Sequence, residues 1–139
     1  MIGHADRVRF TEHELTAALT GAAKAVLATQ RKDVRRGHAD IDTVWDEMDR
    51  LQRFQILNGL GDQILPVLQA LPDRPIAPGT RASYSDREVS EVVDGLVGEG
   101  PGRVRRAVIV KARTALVQTA LARMPPRQDP DALIVPDHL

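Results

Sequence analysis

The sequence predicts an all-α protein: a compact bundle of four or five helices with an extended, Pro-rich C-terminal tail. Three observations lead there. Two capping boxes, Thr11/Glu14 and Ser85/Glu88, each open a run of apolar residues at helical spacing. Elsewhere the apolar residues recur at helical spacing, and although Val108-Ile109-Val110 could also form a short buried strand, the Ala-rich continuation to Met124 favours helix. The breaks between runs fall at clusters of Gly and Pro, the residues that stop helices. At 139 residues, 42% hydrophobic and 27% charged, the chain is long and apolar enough to close one core. The helical domain is expected over 1–124 and the tail over 125–139.

The first helix is expected over 11–30. The Thr11 hydroxyl accepts from the amide of Glu14, and the Glu14 carboxylate accepts from the amide of Thr11. Phe10 and Leu15 flank the box as a hydrophobic staple, and Leu15, Ala18, Leu19, Ala22 and Val26 form the buried stripe. The face is rich in Ala, which lets a neighbouring helix approach closely. The basic run 31–36 then reads as a solvated linker.

A second helix, capped by Asp40 or Asp42, carries Ile41, Val44, Met48, Leu51, Phe54 and Leu57. Asn58-Gly59-Leu60-Gly61 should end or bend it, and Asp62 should restart a shorter helix through Leu71, with Pro66 as a kink or a late start. Trp45 is expected to be partly buried. Residues 72–82, with Pro72, Pro75, Pro78 and Gly79, read as a loop.

Ser85 and Glu88 open the next helix, with Tyr84 and Val89 as its staple and Gly98 just past its end. The resemblance of Phe10–Leu15 to Tyr84–Val89, and of the Gly-His-Ala-Asp tetrapeptides at 3–6 and 37–40, extends no further and reads as coincidence. The glycine-rich stretch before Arg103 lacks the spacing and the Lys-Ser/Thr of a phosphate loop, so it reads as a connection between helices. The last helix, 103–124, is apolar almost all round, which places it either centrally or against another subunit. Pro125-Pro126 end it, and the tail beyond carries the apolar knot Leu133, Ile134 and Val135 between prolines.

These features exclude more functions than they name. With no cysteine, disulfides, thiol nucleophiles and Cys-ligated metals are ruled out. A formal net charge of zero produces no general pull on nucleic acid or an anionic membrane. The first residues lack a signal-peptide core and no apolar run spans a bilayer, so a cytoplasmic protein, or one assembled from the cytoplasm, is expected. His4/Asp6, Glu12/His13/Glu14 and His38/Asp40/Asp42 have the right ligand types for a metal but no spacing that converges them. No metal, cofactor or catalytic residue is therefore assigned.

One asymmetry remains. Arg103, Arg105 and Arg106 crowd the first turn of the last helix, where the helix dipole disfavours cations, and that helix holds no acidic residue. The preceding helix and its cap carry Asp86, Glu88, Glu91, Asp94 and Glu99 against Arg87 alone, so the two helices can neutralise one another or a neighbouring subunit's. The leading expectation is a non-enzymatic assembly subunit, homo-oligomeric or part of a multi-protein structure such as a virion connector. Its candidate contact residues are Arg103, Arg105, Arg106, Leu133, Ile134 and Val135. One alternative is a DNA-associated regulator using the three arginines; another is a small helical enzyme using His38 and nearby carboxylates. Thr11→Ala and Ser85→Ala should each cost about 0.5–2 kcal/mol through loss of the cap, measured as a lower midpoint of chemical denaturation.

Overall fold

The computed structural model describes residues 10–127. Among them the chain forms six helices and no β-strand: α1 Glu12–Gln30, α2 Lys32–Arg35, α3 Ile41–Glu47, α4 Arg50–Ala70, α5 Asp86–Val97 and α6 Arg103–Arg123. Five of them have seven residues or more.

Both capping boxes form. Thr11 Oγ1 accepts from the Glu14 amide at 3.0 Å and Glu14 Oε1 accepts from the Thr11 amide at 2.9 Å. The Ser85/Glu88 pair repeats the arrangement at 3.1 and 2.8 Å. Asp40 caps α3 through the Thr43 amide. The run 31–36 departs from the expected linker: Lys32–Arg35 make one helical turn, after which the Asp33 carbonyl accepts from the His38 and Ala39 amides.

The middle of the chain breaks at a different place from the one its glycines suggest. Met48 and Asp49 are extended and separate α3 from α4, while α4 runs unbroken through Asn58-Gly59-Leu60-Gly61 to Ala70. The reason is tertiary. α3 packs along α1, with Trp45 buried and Lys24 paired to Asp42 at 3.0 Å, whereas α4 must turn to lay Ile64, Val67 and Leu68 into the core. Two directions require a break between them. Each glycine costs a helix about 1 kcal/mol, less than the burial of those three side chains returns at roughly 1.5–3 kcal/mol each. Gly61 is itself buried against Leu19 of α1. Pro66 lies on the exposed side of α4, so the Asp62 carbonyl that it leaves without a donor faces water.

α1, α4 and α6 each touch the other two, and α5 packs on α6 and α4. The core between them holds Ala18 and Ala22 of α1, Val89 and Val93 of α5, and Val117, Ala120 and Leu121 of α6. The Ala-rich face works as the sequence suggests. α1 and α6 come so close that a Cβ built on Gly21 would stand 2.4 Å from the Arg123 Cβ.

The loop from 71 to 85 is irregular but tied down. Leu71, Ile76, Ala82 and Tyr84 enter the core. Arg74 stacks over the Tyr84 ring at 4.2 Å, pairs with the Glu88 carboxylate and donates to the Ser83 carbonyl. The Ser85 amide and the Arg74 guanidinium hold the Glu88 carboxyl below its ordinary range. The described start of the tail closes on the same loop. The Arg127 amide donates to the Thr80 carbonyl and the Gly79 amide to the Arg127 carbonyl, both at 2.7 Å. Residues 125–127 therefore sit on the helical domain of their own chain.

Two glycines should answer oppositely to the same substitution. Gly21→Ala drives a methyl into the Arg123 Cβ, and overpacking of about 1–3 kcal/mol outweighs the helix-propensity gain of about 1 kcal/mol. Gly59→Ala meets nothing within 4 Å and should stabilise by about 0.5–1 kcal/mol. Thermal and urea melts of the two variants should move in opposite directions.

Candidate functional site

α5 and α6 form an antiparallel hairpin joined by Gly98–Gly102. Gly98 takes a φ of 78°, the left-handed turn that the chain needs to leave α5. The hairpin is pinned near both ends. Arg106 Nη1 donates to the Asp94 carboxylate at 3.0 Å and to the Asp94 carbonyl at 3.1 Å. Gln118 Nε2 donates to the Asp86 carboxylate at 3.0 Å and to the Tyr84 carbonyl at 2.8 Å.

Between these pins the two helices leave an open groove of about 850 Å³. Asp86, Glu91 and Asp94 stand on the α5 wall beside Arg87, and Arg103, Arg106 and Lys111 on the α6 wall. Val110, Ala107 and Ala115 provide apolar lining. Thr114 also lines it; its Oγ1 is buried without a hydrogen-bond partner. The charge separation follows from the composition of the two helices, since α6 contains no acidic residue.

α6 is central only in its second half. Thr114, Val117, Ala120 and Leu121 are buried, whereas Val104 and Val108 are 77% and 62% exposed. Leu96 of α5, at the same end of the hairpin, is 46% exposed. α1 and α4 pack against α6, and among the described residues only α5 accompanies its first half. A second exposed apolar pair, Leu51 and Phe54, lies on the first turns of α4.

The structure separates the three arginines read from the sequence. Arg103 is exposed on the groove wall, Arg106 is half-buried and held by Asp94, and Arg105 is exposed outside the groove lining. Leu133, Ile134 and Val135 lie outside the described residues, as do His4 and Asp6. The other histidine and carboxylate sets are dispersed. Asp40 caps α3, Asp42 pairs with Lys24, and Glu14 is committed to its cap and to Arg127. Among the described residues no three His, Asp or Glu side chains converge as metal ligands. None of the described helices is long and apolar enough to cross a membrane.

Sequence reasoning missed the groove itself, although the opposite charge of consecutive helices was its visible trace. It also missed Arg127, whose role depends on a contact with Glu14 at the far end of the chain. No family model matches the chain, and no match was found among the curated proteins or the solved structures.

The arginines should differ in a stability measurement. Arg106→Glu removes a partly exposed ion pair worth about 0.2–1 kcal/mol and adds repulsion from Asp94. Arg105→Glu instead places a favourable charge in an exposed first turn, a gain of about 0.3–1 kcal/mol. Denaturant titration at low salt should show a loss for the first and a gain for the second.

Proposed function

We propose that this chain is a non-enzymatic structural subunit that works through protein–protein contacts, within a homo-oligomer or a multi-protein assembly. One observation carries the reading: Val104, Val108 and Leu96 are all exposed at the same end of the α5–α6 hairpin. Large aliphatic side chains gathered at one end of a domain mark a contact surface more often than scattered ones do. Burying each would contribute about 1.5–3 kcal/mol before ordering costs. The tail knot Leu133, Ile134 and Val135 is a second candidate contact, stiffened by flanking prolines so that less entropy is lost on docking. A virion connector is one concrete form of such a subunit, by architectural analogy alone.

A DNA-associated regulator is the second reading, favoured by the exposure of Arg103 and Arg105 at the free end of α6. Against it, Asp94 and Glu91 stand on the facing wall and would repel a phosphate backbone. Sedimentation velocity from micromolar to millimolar protein, beside titration with duplex DNA at two salt concentrations, separates the readings. Species at multiples of the chain mass and no salt-dependent DNA complex are expected. A monomer at every concentration that binds duplex DNA at low salt would overturn the assembly reading.

A further inference from the structure

We infer that the groove between α5 and α6 is a self-association surface, closed over wall to wall by the same hairpin of a second copy about a two-fold axis running along the groove. The inference rests on the assembly reading and specifies its contact.

The argument is charge complementarity. The α5 wall carries Asp86, Glu91 and Asp94 against one cation, Arg87, and is net acidic, while the α6 wall carries Arg103, Arg106 and Lys111 and no acidic residue. A groove with walls of opposite sign matches its own image in one orientation only. An axis along the groove exchanges left and right, so each basic wall faces the acidic wall of the other copy. An axis across the groove would set basic on basic and acidic on acidic. Symmetric contacts are self-complementary, and like charges brought together across an interface are strongly disfavoured. The selected arrangement also sets each α6 antiparallel to the α5 of the second copy, as it is to its own.

Register narrows the contact to one pair. The Arg106–Asp94 and Gln118–Asp86 bonds pin the hairpin on either side of Glu91 and Lys111, which fall midway between them on opposite walls. An axis along the groove preserves height, so Lys111 of each copy meets Glu91 of the other. Both side chains belong to exposed residues, and among the described residues neither has an ion-pair partner in its own chain. The apolar part of the contact lies beside them. Val104, Val108, Lys111 and Ala115 recur at i, i+4, i+7 and i+11 and are all exposed, forming one stripe on α6 of which Lys111 and Ala115 line the groove.

A charge-swap experiment tests the pairing. In Lys111→Glu the homodimer sets two carboxylates against each other twice; in Glu91→Lys it does the same with two ammonium groups. Mixed in equal amounts, the two variants restore opposite charges at both contacts. Sedimentation equilibrium of the full chain should show self-association of the wild type, weakening by about tenfold or more in each variant, and a heterodimer of near wild-type affinity in the mixture. Circular dichroism confirms that each variant keeps its helices; if one does not, Lys111→Gln and Glu91→Gln take their place and should weaken association with no recovery on mixing. A wild type that associates while the variants do so equally well overturns the groove contact and leaves the assembly reading standing. If that association is then lost on truncation after Arg127, the contact belongs to residues 128–139 instead. A wild type that stays monomeric overturns both the groove contact and self-assembly.

Discussion

Glu14 is 6% exposed, and its carboxylate joins two ends of the chain. Oε1 accepts from the Thr11 amide and from Arg127 Nη2 at 3.1 Å, while Oε2 accepts from Arg127 Nε at 3.0 Å. A buried carboxylate survives only when its oxygens are paired, and removing one partner of such a pair costs roughly 3–5 kcal/mol. The same Arg127 is bonded through its backbone to Gly79 and Thr80. Arg81 Nε adds a bond to the Met124 carbonyl at 2.6 Å, so the start of α1, the 71–85 loop and the exit of α6 meet at one corner.

That corner sets the direction of α6. Its second half is clamped between α1 and α4, with Gly21 admitting the Arg123 side chain close against α1. α6 is 21 residues long, roughly 30 Å at 1.5 Å per residue, and all of its buried residues lie in its second half. α5 has only 12 residues and accompanies it from one side. The first half of α6 contributes no buried residue, so its exposed valines follow from where the helix packs and not from its length.

Where local chemistry decides structure, residue identities were sufficient. Both capping boxes and the starts of α1 and α5 depend on contacts three or four residues apart, and those are legible in order along the chain. The choice between Asp40 and Asp42 as the cap of α3 was left to the structure. The break in the middle was not legible there. Asn58-Gly59-Leu60-Gly61 and Pro66 speak against a helix in isolation, and α4 runs through them because the core holds its buried face. Met48-Asp49 carries no strong stop signal, yet it breaks because α3 and α4 pack in different directions.

The groove shows the same division. Composition alone determined that the last two helices carry opposite charge, since a helix without acidic residues cannot present any. It also determined the all-α class, through period and caps. Tertiary structure decided which arginine is tied to Asp94, which faces the groove and which stands outside it, and it joined Arg127 to Glu14. Those outcomes depend on the relative position and rotation of two packed helices and on contacts across more than a hundred residues of chain. Helical periodicity sets which residues share a face. Only packing chooses where that face points.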